Sequence, residues 1–267
     1  MSRVNSYWRN KAVLITGASS GLGWALTRAL APFKIHFGLL SRREEKLREL
    51  ADHLSGTGST FWMRSCDVRN REQVGHAVQD FHRHVGHLDV AWINSGVSFD
   101  SSFQNWSWEG FETMVDTNLK GAIYTARACL EVMVPQTAGT IVGIGSAAAM
   151  RGLPGRGVYS LTKVALEYYL LSQAAELPHI QFTIIHPGFV DTPINEKNPN
   201  RFWLQTPERA AQLMIKAVAE RKRMLIFPRR MGVLFRLVRL LPVPAYHWLA
   251  CKLARLSRPG VKTPDAT

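Results

Sequence analysis

The stretch from Lys11 to Gly23 constrains this chain more than any other. A strand-like run, Ala12-Val13-Leu14-Ile15-Thr16, breaks directly into Gly17-Ala18-Ser19-Ser20-Gly21-Leu22-Gly23. Behind the glycines, Leu22, Leu26, Ala29 and Leu30 recur at helical spacing, so the segment predicts strand, tight turn and helix. Such a turn suits a phosphate. Gly17 permits the sharp bend, Gly21 removes a Cβ where a pyrophosphate would approach, and Gly23 lets the helix lie close to the sheet with its free N–H groups facing the anion. The spacing is Gly-x3-Gly-x-Gly rather than the commoner Gly-x-Gly-x2-Gly, and taken alone it also fits a βα turn that holds no ligand.

Strand and helix patterns alternate through most of the chain. Further apolar strand runs fall at 34–40, 59–65, 89–93, 139–145, 180–186 and 224–227, with amphipathic segments between them. That alternation predicts an α/β, doubly wound (Rossmann) fold: a parallel seven-stranded sheet with helices on both faces. The 267 residues, 46% of them apolar, can bury one full core of this kind. We expect the catalytic domain to occupy 1–228 and an amphipathic, basic extension to occupy 229–267. Ser107 is placed to cap one long helix from Trp108 to Val134, and Thr206-Pro207 to open another. Ile194 to Gln205 reads as a small lid with an apolar tip, Phe202-Trp203-Leu204.

Composition narrows the setting. Cys66, Cys129 and Cys251 are an odd set without metal-ligand spacing, which predicts reduced core thiols, no metal site and a cytoplasmic location. Met1 to Asn10 has no apolar h-region, and no uncharged apolar run is long enough to span a bilayer.

Several candidate site residues fall where strands end. Ser41-Arg42-Arg43 follows the second strand, where an acid would bind a free ribose 2′-hydroxyl and a cation would neutralise a 2′-phosphate. Two arginines there favour NADP(H), the alternative being surface charges on the next helix. Asp67, ahead of Val68, stands on the same rim and would either accept from an adenine amino group or cap a helix. Asn94-Ser95-Gly96 is a small-residue turn suited to close approach by a flat ring and its ribose. Asn118 sits in mid-helix, where asparagine is a mediocre helix former. Ser146 ends the fifth strand, and one loop later Tyr159 and Lys163 share a helix face. A phenol with a pKa near 10 is a poor proton carrier at neutral pH, but a neighbouring ammonium lowers that value and makes it a usable general acid and base.

Taken together, these pieces resemble the short-chain dehydrogenase/reductase family from about Lys11 to Phe227. The matching motifs are Thr16-Gly17-Ala18-Ser19-Ser20-Gly21-Leu22-Gly23, Asp67-Val68, Asn94-Ser95-Gly96, Asn118, Ser146, Tyr159-x3-Lys163, and Pro187-Gly188 followed by Thr192. The resemblance implies that Tyr159 gives a proton to the substrate oxygen while hydride leaves nicotinamide C4. It gives Lys163 two tasks, lowering the phenol pKa and bonding the nicotinamide ribose. By the same resemblance Ser146 polarises the carbonyl, Asn118 anchors a water in a proton relay, and Thr192 with the backbone near Phe189 and Val190 meets the carboxamide and phosphates. Departures from the family pattern are Ile93, Ser95 and Gly145, the last standing where a second serine is common.

The charge of +13 is uneven. From Arg221 onward eleven basic residues face one acid, Asp265, whereas the preceding body holds twenty-two basic and nineteen acidic residues. Met231, Leu234, Phe235, Val238 and Leu241 form a stripe with Arg236 and Arg239 opposite. Beyond Pro242 and Pro244, Tyr246, Trp248, Leu249, Leu253 and Leu256 recur with Lys252 and Arg255. Such a pattern fits an anionic membrane surface; equally it fits a cover for the substrate pocket or a subunit contact. Nucleic acid is disfavoured, since no reader motif accompanies the charge. The expected function is an NADP(H)-dependent carbonyl/alcohol oxidoreductase acting on an apolar, lipid-like substrate. The alternatives are a 3-ketoacyl reductase docking a carrier protein and a non-catalytic NADP(H)-binding sensor or scaffold. Helices that look apolar all round predict a homodimer or homotetramer.

Overall fold

A computed structural model describes residues 3–196 and 201–257. Its centre is a seven-stranded parallel sheet in the order β3-β2-β1-β4-β5-β6-β7: β1 Ala12–Thr16, β2 His36–Ser41, β3 Thr60–Ser65, β4 Val90–Ile93, β5 Thr140–Ile144, β6 Gln181–Pro187 and β7 Met224–Phe227. The chain runs outward from β1 on one side and from β4 on the other. That reversal opens a crevice at the C-terminal ends of the two strands.

Alternation along β1 explains why both faces are covered. Val13 and Ile15 point into one core, Ala12 and Leu14 into the other. The first core lies against α2 (Gly21–Leu30) and α8 (Pro207–Ala219), the second against α4 (Arg71–Val85), α6 (Gly121–Met133) and α7 (Gly157–Glu176). The remaining helices are α1 (Arg3–Trp8), α3 (Glu44–His53), α5 (Trp108–Met114), α9 (Arg229–Leu240) and α10 (Val243–Ser257). Ser107 accepts from the Gly110 N–H and Thr206 from the Arg209 N–H, so both expected caps form.

Four expectations about the fold change. The long helix from Trp108 to Val134 is interrupted by a π-helical segment, Val115–Lys120, which contains Asn118; such bulges in an α-helix recur at functional sites. The second strand starts at His36 rather than Lys34, because Lys34 adopts a left-handed conformation that ends a short 3₁₀ turn. The short helix α1 has no counterpart in the sequence analysis. It is held by Trp8, fully buried, stacked 6.2 Å from Trp92 and donating from Nε1 to the Ile215 carbonyl. Cys66 and Cys129 are core thiols as expected, but Cys251 is exposed on α10.

The basic extension is partly body. Met231, Phe235 and Val238 are buried, with Met231 packed against Gly188 and Phe235 against the ring of His186. Arg151 donates to the carbonyls of Val238, Arg239 and Leu241, satisfying the C-terminal end of α9. Arg239, expected opposite the stripe, turns inward to Glu167. Tyr246 on α10 donates to the Gly152 carbonyl. The lid residues 197–200 and the basic Arg258 and Lys262 lie outside the described residues, as do the side chains of Leu253, Arg255 and Leu256.

Candidate active site

Two clusters line the crevice. At the ends of β1 and β2, Gly17 and Gly21 take positive φ (+67° and +54°), the left-handed region that glycine adopts freely. At Gly23 the close approach of α2 to the strand ends leaves no room for a side chain: a Cβ there would lie 2.3 Å from the Gly17 carbonyl oxygen and 2.8 Å from Asn94 Nδ2. Leu22 is half-buried behind it. Ser41 donates to Ser19 at 2.7 Å, and Arg43 Nη2 lies 3.0 Å from Ser19 Oγ and 3.1 Å from Ser20 Oγ. A guanidinium and three hydroxyls therefore share one corner beside the turn. Arg42 is exposed next to them.

Around this corner the candidates part company. Asp67 binds Arg69 bidentately, which holds its carboxyl below the usual range. It does not cap α4; Asn70 does, accepting from the Gln73 N–H. Val68 is buried and fits against Gly121, where a Cβ would fall 2.8 Å from its Cγ2. The Asn94 side chain donates to the Thr16 and Gly17 carbonyls, so it ties β4 to the glycine turn. Ser95 packs against Gly17 from the same side. Val190 is buried, its carbonyl accepting from Thr192 Oγ1 and Asn195 Nδ2. Thr192 faces Gly21 at van der Waals distance. Pro187 ends β6, and Gly188 donates to the Phe227 carbonyl and packs on α9.

The second cluster forms where β4 and β5 end. A Cβ built on Gly96 would lie 3.4 Å from Asn118 Oδ1 and 3.5 Å from Lys163 Nζ. Asn118 is fully buried and grips Val97 both ways: Oδ1 accepts from its N–H and Nδ2 donates to its carbonyl, each at 2.8 Å. Nδ2 also reaches Thr162 Oγ1 at 3.3 Å. Asn118 is the buried residue of the π-helical segment.

Lys163 differs from expectation. Its ammonium donates to the Ile144 carbonyl at 2.8 Å and stands 5.8 Å from the centre of the Tyr159 ring. Burial pushes it down to about 8. The Tyr159 phenol is raised, chiefly by burial, with a hydrogen bond to Ser146 and the charge of Arg156 acting in the opposite direction. The groups that ease the phenol are thus Ser146 and Arg156. Arg156, whose Nη1 is 2.5 Å from Ser98 Oγ, was not singled out from sequence. Ser146 is extended, and its Oγ accepts from the Ala148 N–H, which leaves its own proton free to donate.

His186 and Glu167 also lie behind this cluster, unforeseen. A Cβ on Gly145 would lie 2.6 Å from His186 Nδ1, so the imidazole explains why serine is absent there. The order His186-Pro187-Gly188 at a strand end was the available signal.

Comparison with known proteins agrees with this architecture. The model of the short chain dehydrogenase family matches residues 11–201, and the chain belongs to that family of oxidoreductases, which use NAD(P)(H). An uncharacterized oxidoreductase of Myxococcus xanthus is 31% identical over 247 residues, 91% of this chain and 97% of the relative. Among solved structures, an alcohol dehydrogenase from Thermococcus sibiricus complexed with 5-hydroxy-NADP is similar with a TM-score of 0.76 and 26% identity, over 82% of this chain and 96% of that one. A short chain dehydrogenase/reductase from Burkholderia phymatum in complex with NAD shares the fold at a TM-score of 0.80 and 21% identity, over 97% and 99%.

The residues present fit a dinucleotide. Gly17 and Gly21 keep Cβ atoms out of the turn at positive φ, α2 follows it directly with its N-terminal N–H groups, and Gly96 places no side chain beside Lys163 and Asn118.

Proposed function

We propose that this protein is an NADP(H)-dependent oxidoreductase that interconverts a carbonyl and an alcohol on an apolar, lipid-like substrate. The observation that carries the proposal is the convergence of Ser146, Tyr159, Lys163 and Asn118 on the crevice that also holds the glycine turn. The bound nicotinamide supplies or accepts the hydride. Ser146 Oγ–H holds the substrate oxygen, and Tyr159 donates its proton to that oxygen. A phenol kept protonated by burial is the form that donates in the reductive direction. Lys163 and Asn118 line the path by which the phenol regains its proton, and Lys163 also holds the nicotinamide ribose. A site of this kind would be idle in a sensor or scaffold, which needs only the nucleotide corner.

Arg43 supports NADP(H) over NAD(H). Its guanidinium lies beside Ser19, Ser20 and Ser41, a donor set suited to a 2′-phosphate, with Arg42 adding charge. Ser19, Ser20 and the turn would hold the pyrophosphate, and Asn94, Ser95, Gly96 and Thr192 the nicotinamide half. An apolar substrate is supported by Phe99, Phe202, Trp203 and Leu204, which leave large apolar surface exposed. Exposed Leu161, Tyr168 and Leu171 on α7 support assembly with a second copy.

Oxidation of NADPH and NADH in the presence of aldehydes and ketones of graded chain length tests the proposal. We expect NADPH to be preferred at least tenfold in kcat/KM and turnover to rise with chain length. Equal use of the two cofactors would refute the role of Arg43, and no turnover with any member would refute the substrate class.

A further inference from the structure

Behind Ser146 lies a chain of polar groups that the proposed chemistry does not use. Among the described residues Glu167 is the one fully buried carboxylate, and it faces the equally buried imidazole of His186. His186 Nε2 stands 3.4 Å from Glu167 Oε2, and neither atom has a hydrogen-bond partner. Glu167 Oε1 is 3.1 Å from Arg239 Nη1 on α9. On the other side of the ring, Nδ1 lies 3.3 Å from the Ser146 N–H nitrogen and 3.0 Å from the Ser146 carbonyl oxygen. Phe235, also from α9, covers the imidazole with ring centres 5.2 Å apart.

Two neutral tautomers can reach Ser146: Nδ1–H would donate to its carbonyl, and Nε2–H would leave Nδ1 to accept from its N–H. The ion pair of Glu167 with Arg239 sets acceptor oxygens against Nε2, so the second tautomer turns a donor toward Glu167, whereas the first turns a lone pair toward it. Burial lowers the His186 pKa against the opposing influence of Glu167 and of the hydrogen bond to the Ser146 backbone, with Arg239 and Lys163 lowering it further.

The position of the contact matters. Ladder pairing between β5 and β6 ends with Gly145 N–H on the Ile185 carbonyl, so Ser146 is the first residue without a strand partner. The imidazole takes over where the ladder stops.

We propose that Arg239, Glu167 and His186 form a positioning relay through which α9 fixes the backbone of Ser146 and hence the aim of its hydroxyl. Helix α9 is thereby a working part of the active site. Because the relay acts through Ser146, its catalytic consequence rests on the function proposed above, but its structural core does not.

The test uses the full chain without cofactor. Nitrogen-15 shifts of His186 should show Nε2 protonated, and the Ser146 amide should exchange slowly. R239M and E167Q should speed exchange at Ser146 at least tenfold while the amides of Ile141 and Val142 stay protected, which separates the effect from general unfolding. R239K should restore most of the protection. With NADPH and decanal as probe, R239M should lower kcat about tenfold and KM less than twofold. A proton on Nδ1 in the wild type, or unchanged Ser146 exchange in both R239M and E167Q, would overturn the relay. Full activity in S146A would instead refute the role given to Ser146, and the exchange data would still decide the relay.

Discussion

The two ends of the crevice are built by different means. At the proposed adenosine end, Ser19, Ser41 and Arg43 bond to one another, the two serines buried and Arg43 exposed, and all derive from two neighbouring strand ends. At the nicotinamide end, Asn118, Ser146, Lys163 and His186 come from four separate elements and are mostly buried, each held by contacts from a distant segment. The exposed Arg43 side chain can rearrange at small cost. The buried groups of the other end cannot, because every unpaired buried polar group costs about 1–3 kcal/mol. The difference teaches that binding selectivity and chemistry are separable here: damage at the first end should appear as weaker cofactor binding, damage at the second as lost turnover.

The widest gap between the two ends is expected for Tyr159→Phe. General acid catalysis contributes about 10²–10⁴-fold, so kcat should fall by that range while NADPH affinity, measured by fluorescence titration, changes little. Retained turnover would break the division between the two ends at its centre.

Lys163 sharpens the same division through stability. Its pKa in the folded chain is lowered to about 8 by burial, against about 10.4 when unfolded. Between those values the unfolded chain holds a proton that the native chain has released, so stability rises with pH through that window, and below about pH 8 the full cost of the buried ammonium is present. The contribution amounts to about 3 kcal/mol. Denaturant unfolding of cofactor-free protein from pH 7.5 to 10.5 should show a positive component that Lys163→Met removes. Identical pH profiles for the two would mean that the ammonium is better solvated than its surroundings indicate.

Arg43→Ala should act at the other end alone. Losing charge-assisted hydrogen bonds worth about 1.5–3 kcal/mol should raise KM for NADPH roughly 10- to 100-fold, leaving kcat and the NADH parameters nearly unchanged. An equal loss with both cofactors would show that Arg43 supports the turn rather than a 2′-phosphate.

The same contrast explains what was legible in the sequence. The adenosine end is local: Gly17, Gly21 and Arg43 declare themselves because positive φ and strand-end position leave short-range marks. The sheet was equally open to reading, since each strand carries a core of apolar residues between turn signals. Long-range partners left no such mark. Nothing near Glu167 announces His186 nineteen residues on, nor Arg239 beyond both, and the π-helical offset at Asn118 is a departure of hydrogen bonding that periodicity does not register. Trp8 was overlooked because a six-residue helix owes its stability to tertiary burial rather than to its own pattern.

α9 carries the contrast to the molecular surface. Its inward side, Met231, Phe235 and Val238, is spent on the body, yet Val233, Leu237 and Leu240 remain exposed beside exposed Arg229, Arg230 and Arg236. On α10, Val243 and Trp248 continue the exposed apolar surface, with Lys252 over the Trp248 ring. None of the helices is long and apolar enough to cross a membrane among the described residues, so a membrane contact would be interfacial. On α9 the apolar residues available for it are not the stripe expected from sequence but its complement, whereas Arg236, Trp248 and Lys252 are exposed as expected. Each basic residue near an anionic leaflet contributes about 1 kcal/mol, so replacing Arg229, Arg230 and Arg236 together by Gln should weaken association with phosphatidylserine-containing vesicles about 100-fold or more at low salt. Flotation of the triple variant beside the wild type measures this, and neutral phosphatidylcholine vesicles should bind neither. Because these arginines are exposed, turnover of a water-dispersed substrate should be unaffected; a fall in kcat would mean that the outer face of α9 is coupled to the relay on its inner face.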